Sequence, residues 1–275
     1  MLWVDTLKLN DEGEREFKSR WVIRGDKDPR KGLEVATDPC PPENIRFMLL
    51  AALSSTGFDP SFISTIDVDN AFLQAPMSDT VYVIPPKEHP DHGKAFWLLQ
   101  KCMYGLTESP LLFQRYLESK LIKHGWGKSP LRGIWWKLSK EAEVVALNGP
   151  AASHLQEIMR EVECKEIQPL QRYVGVSYDV SQDEIWCSQE MYASSLNDRG
   201  VRPLVNPIPD AARKQADTSL PLNKKETKAF QQSLGELSYL ASFTRPDLAY
   251  GTSHMAQWNA APTVNAFAWL QRLVS

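Results

Sequence analysis

The carboxylates closing the apolar run FISTIDV, residues 62–68, are the groups in this chain best suited to chemistry. Asp67 ends a β-rich strand and stands before a turn, a position that suits a ligand for a hard divalent cation. An aspartate at a strand end serves equally as a turn or cap residue. Asp69 follows two residues on, yet neighbours on one strand-to-turn segment seldom replace ligands that come from a separate strand. A second chemical signal lies upstream, where residues 18–31 carry Lys18, Arg20, Arg24, Lys27, Arg30 and Lys31 against only Asp26 and Asp28. Such a stripe can follow a phosphate backbone or form an ordinary charged surface. The net charge of −3 argues against nucleic-acid binding through bulk charge alone. His89 and His92 form an H-x-x-H pair inside EHPDHG, which reads as a solvated loop because no cysteine lies nearby to complete a metal clip. The cysteines Cys40, Cys102, Cys164 and Cys187 show no C-x-x-C spacing and read as reduced thiols.

These groups need a scaffold, and 275 residues suffice for one large or two small domains. With 43% hydrophobic and 24% charged residues, the composition is that of an ordinary globular protein. The longest apolar run, Phe47 to Leu53, is far too short to cross a bilayer, and the N-terminus lacks a signal-peptide pattern. The expectation is an intracellular protein, cytoplasmic or nuclear, without a membrane segment. Alternation predicts a strand over 17–24, and GDKDPRKG breaks it. Helical spacing follows at 44–54, then the strand 62–68 and short strands at 81–84 and 96–99. A strong helix is predicted over 110–123, strands at 134–138 and 144–147, a helix at 151–162, and a hairpin over 172–187. Beyond Gln189 the pattern turns helical around Pro203, Pro207, Pro209 and Pro221. The chain is therefore divided into an α+β part, 1–188, and a helical part, 189–275.

Several segments, in collinear order, resemble the copia-type reverse transcriptase of LTR retrotransposons. FKSRWVIRG at 17–25 is similar to the family's K-A-R-L-V-A-R-G strand, and IDVDNAFLQAPM at 66–77 to D-V-K-x-A-F-L-x-G-x-L. CMYGLTESPLLFQRYL at 102–117 resembles L-Y-G-L-K-Q-A-P-R-x-W. RYVGVSYDVSQDEIWCSQEMY at 172–192 resembles F-L-G-I-E-I…I-x-L-S-Q-x-x-Y. SYLASFTRPDLAYGTSHMAQWNAAPT at 238–263 matches the block beyond the palm, which contains T-R-P-D-I-A-Y. The resemblance implies a right-hand polymerase with fingers, an antiparallel palm and a helical thumb or connection. It implies Mg²⁺ as cofactor and an RNA or DNA template-primer as partner, with the oligomeric state left open. Asp67 falls at the first metal-binding aspartate, with the Val68 carbonyl beside it. Phe72 falls beneath the incoming sugar, Lys18 and Arg20 at the triphosphate, and Tyr104 and Gly105 at the template strand.

The chain departs from the family at Thr107 and Glu108, where Lys and Gln are usual, and at Leu111, where a basic residue is usual. A carboxylate at 108 would weaken a phosphate contact. The larger departure is the second catalytic element, a Tyr-Val-Asp-Asp hairpin expected after Val144–Leu147. Leu147 instead runs straight into Asn148-Gly149-Pro150. The RNase H region expected beyond Ser275 is also missing from this sequence. Two-metal transfer needs carboxylates converging from neighbouring strands, so the expectation is a reverse-transcriptase domain without activity. The alternatives are a non-catalytic binding or scaffold protein derived from one, or a non-functional relic. Asp217-Thr218-Ser219 matches the D-T-S triplet of retroviral aspartic proteases, but the polar KQA before it is not the apolar strand that site requires.

Overall fold

Alternation in REFKSRWV builds β2 (Arg15–Val22), which pairs antiparallel with β1 (Leu2–Leu9). Trp3 stands opposite Trp21 with ring centroids 5.1 Å apart, and Val4 stands opposite Arg20. In a computed structural model of the chain, residues 1–9, 15–138, 144–145, 151–196, 208, 212 and 217–273 are described. They form two compact units, Met1–Pro169 and Leu170–Ser275. Every sheet is small and antiparallel, with at most three strands among the described residues, and the class is α+β.

In the first unit, Pro41 and Pro42 set the start of α1 (Pro42–Leu53), which buries Leu49 and Ala52 and leaves Leu50 exposed. The strand 62–68 appears as β3 (Ser64–Thr65) with one further bridge at Val68, followed by α2 (Ala71–Gln74). Then come β4 (Tyr82–Val83) paired with β5 (Trp97–Leu98), and α3 (Ser109–Lys123). β6 (Gly127–Lys128), β7 (Trp135–Leu138) and β8 (Val144–Val145) form a small sheet before α4 (Ala151–Met159). β9 (Gln168–Pro169) returns to pair with β3. The junction Leu147–Pro150 lies outside the described residues.

The second unit starts with the sheet β10 (Arg172–Tyr173), β11 (Val176–Val180) and β12 (Ile185–Ser188). The hairpin predicted from alternation thus lies with the helical part and not with the N-terminal unit. α5 (Glu190–Ser195), α6 (Lys224–Phe243), α7 (Ala249–Met255) and α8 (Val264–Gln271) follow. Asn223 and Glu226 form a capping box at the start of α6, and Thr263 caps α8. Phe230, Leu237, Met255 and Leu270 fill the core between these helices.

Trp126, Ile158 and Val162 form a core in the first unit, and Val68, Leu117, Leu121 and Trp135 pack against it. Glu161 ties this core to α3, accepting from Lys120 at 2.8 Å and Lys123 at 2.5 Å and meeting His124 Nε2 at 2.9 Å. Burying each large apolar side chain contributes roughly 1.5–3 kcal/mol. Exposed ion pairs contribute about 0–1 kcal/mol, so the cluster chiefly orients α3 on a core that burial holds together. The Lys120 hydrogen bond, then those from Lys123 and His124, draw the Glu161 carboxyl down from 4.5 to about 2. A depressed carboxyl stabilises the fold above its unfolded pKa, and that contribution disappears as pH falls through the folded value. The melting-temperature gap between wild type and Glu161→Gln is therefore expected to be full above pH 4.5 and to close as pH falls toward 2. A gap constant over that range would contradict the clamp.

Candidate functional site

Asp67 sits where β3 runs on beyond its last regular pair. Val68 bridges Cys164, the Lys165 N–H donates to the Asp67 carbonyl at 2.8 Å, and the Asp69 N–H donates to the Glu163 carbonyl at 3.0 Å. Val68 and Cys164 are thus a non-hydrogen-bonded antiparallel pair, and the N–H and C=O of Val68 turn toward the other edge of the strand. Thr65 pairs with Gln168, so Ile66 and Asp67 face the three residues 165–167. That is the count of a β-bulge, which twists a strand locally and re-aims its side chains. Gln74, from α2, staples the two strands. Its amide donates to the carbonyls of Asp69 at 2.5 Å and Glu163 at 2.8 Å, and its oxygen accepts from the Glu163 N–H at 2.8 Å. The ladder sets Lys165 opposite Asp67, and its ammonium reaches the carboxylate at 2.7 Å.

The other predicted site residues gather around Tyr104. The Arg20 guanidinium lies over the Tyr104 ring, 5.4 Å from its centroid, and Phe72 meets the same ring edge-on at 5.1 Å. Two glycines hold this stack. Ile23 donates to the Tyr104 carbonyl at 2.8 Å and Gly25 to the Gly105 carbonyl at 3.1 Å. Gly105 has φ +86°, and a Cβ there would collide with the Ile23 carbonyl oxygen; one on Gly25 would collide with the Gly105 oxygen. Phe72 also lines a cleft of about 440 Å³ with Phe113, Leu117, Leu121 and Trp135. Lys18 lies on the Arg20 face of β2 but is paired with Glu16 at 3.1 Å.

Much of the basic stripe is neutralised locally. Arg24 pairs with Asp26 at 2.6 Å, and Arg30 pairs with Asp28 and Glu108, each at 2.7 Å. Among the described residues, Arg20, Lys27 and Lys31 form no ion pair. Glu108 is 5% exposed and turned inward onto Arg30, so it does not stand against phosphate as its place in the motif suggests. Leu111 is likewise buried. His92 Nδ1 meets the Pro85 carbonyl at 2.7 Å and His89 packs on Trp97 at 4.5 Å, which accounts for both histidines within their loop. Asp217 holds Thr263, Asn265 and the Ser219 N–H, a structural use of that triplet.

The first 200 residues match the family described as reverse transcriptase (RNA-dependent DNA polymerase). The chain belongs to this family. It is similar to the retrovirus-related Pol polyproteins from transposons RE1 and RE2 of Arabidopsis thaliana, at 26% and 27% identity over 99% of the chain. The corresponding Pol polyprotein from transposon TNT 1-94 of Nicotiana tabacum is 22% identical over 94% of it. The chain spans about a fifth of the length of these curated relatives, 20% of the two Arabidopsis polyproteins and 22% of the tobacco one. No solved structure matches it. Reverse transcriptases of this family generally use Mg²⁺, and the donor set around Asp67 does not fit a pair of such ions. Asp67 is one exposed carboxylate already facing an ammonium, and the described residues hold no group of three or more acid, His or Cys side chains arranged for a metal. Sequence reasoning missed Lys165 and Gln74, because both act across long chain separations that no local motif announces.

The glycine clasp gives a direct test in this chain. Gly105→Ala combines a left-handed backbone with a backbone clash and should cost at least about 2 kcal/mol in denaturant unfolding. A loss within about 0.5 kcal/mol, the usual range for surface changes, would contradict the clasp.

Proposed function

We propose that this chain serves as the fingers and palm of a copia-type reverse transcriptase, followed by a helical thumb or connection, and that it holds nucleic acid without polymerising it. The stack of Arg20 on Tyr104, with Phe72 edge-on to the same ring, carries the reading. It presents an exposed guanidinium beside aromatic rings on the strand and loop that the family motifs assign to triphosphate and template. A planar guanidinium is well shaped for phosphate oxygens, and aromatic rings are the side chains on which unpaired bases stack. Lys27 and Lys31 add further positive charge next to this strand. The sequence lacks the Tyr-Val-Asp-Asp hairpin, and Asp67 is matched with Lys165, which supports binding without transfer.

The test is binding of a single-stranded oligonucleotide measured over a range of salt. Affinity should fall steeply with salt, because counterions are released at each phosphate contact. Arg20→Ala should weaken binding and lower the log–log salt slope by about one. Arg24→Ala should change it much less, since Asp26 already neutralises Arg24. The same protein should extend no primer above an Asp67→Asn control. Salt-independent binding, equal effects at 20 and 24, or Asp67-dependent extension would each contradict the proposal.

A further inference from the structure

We propose that Lys165 is a built-in counter-cation for Asp67, whose ammonium competes for the place a divalent ion would take and weakens this carboxylate's hold on metal. The inference rests on Asp67 being the site residue of the reading above. The position of Lys165 follows from the backbone. The Lys165 N–H is bound to the Asp67 carbonyl at 2.8 Å, and the Val68–Cys164 bridge fixes the register. Gln74 locks the same two strands together with two donated hydrogen bonds and one accepted. The ammonium thus starts from a fixed point opposite the carboxylate and reaches it at 2.7 Å.

Both side chains are well exposed, 71% for Asp67 and 60% for Lys165, so the pair contributes little to stability. Its effect on a metal is larger than its effect on folding. An arriving divalent cation must displace the ammonium and is then repelled by it with twice the force felt by a monovalent ion. Asp69, the nearest other carboxylate in sequence, offers only one more ligand beside it. Removing the single positive charge should therefore shift metal affinity at Asp67 by about three- to tenfold.

The experiment is a Mn²⁺ titration followed by the free-ion EPR signal, with paramagnetic broadening of the Val68 and Asp69 amide resonances locating the ion. Lys165→Met should fill at a Mn²⁺ concentration about three- to tenfold below wild type. Lys165→Arg, which keeps the charge, should titrate like wild type, and Asp67→Asn combined with Lys165→Met should lose the gain. Thermal melts of each variant confirm that the fold is retained, and Lys165→Gln, which also removes the charge and should show the same gain, repeats the comparison if the methionine variant is poorly folded. Superimposable curves for wild type and Lys165→Met, whether both fill or neither does, would overturn the proposal. So would tighter binding in the arginine variant, or a gain that survives the loss of Asp67. The titration involves no oligonucleotide, so its failure is separate from failure of nucleic-acid binding.

Discussion

The placement of Asp67 depends on the short antiparallel ladder that joins residues 64–69 to residues 163–169. Strands this short are marginal by themselves. This one is held by the Gln74 staple on one side and by the core of Trp126, Ile158 and Val162 on the other. Val68 and Cys164 both pack on that core, so the bridge between them joins the sheet to α3 and α4. Burial pushes the Cys164 thiol up, and the Asp69 and Asp67 carboxylates push it the same way, as expected for acids crowded around one bridge. The ladder brings the Lys165 ammonium to the Asp67 carboxylate.

A second constraint acts on β2. The two-stranded ribbon β1–β2 would be unstable in isolation. It is anchored by Trp21, which packs against Trp3 and Trp97, and by the backbone clasp of residues 23–25 on Tyr104 and Gly105. Because the clasp is backbone to backbone, it tolerates no side chain at either glycine. It also sets Arg20 over the Tyr104 ring. The loop of Tyr104 and Gly105 is thus a structural support for the strand that carries Arg20.

Periodicity and collinear motifs made the helices legible, since α1, α3, α4, α6 and α8 each carry apolar residues at helical spacing within one segment. They also brought Arg20, Tyr104 and Phe72 onto one list, and the structure stacks these three together. The predicted strand over 62–68 was legible too, but its partner was not. Glu163 to Pro169 reads as a polar tail after a helix, and only pairing across the fold makes it a strand. The same holds for β1, whose alternation is weak, and for Arg30, whose match with buried Glu108 joins distant parts of the chain. Charge counted along a sequence therefore overstates the basic stripe, because its neutralising acids include residues far away as well as local aspartates.

The pairing of Val68 with Cys164 fixes the register that sets Lys165 opposite Asp67. A non-hydrogen-bonded antiparallel pair brings its α-carbons to about 4.5 Å, within the roughly 4.4–6.8 Å that a disulfide spans. Val68→Cys protein, oxidised mildly and mapped by peptide mass spectrometry, should therefore form a disulfide between positions 68 and 164 and leave Cys40, Cys102 and Cys187 free. A Cys164 thiol that stays reduced, or that pairs elsewhere, would contradict the ladder and with it the placement of Lys165 on Asp67.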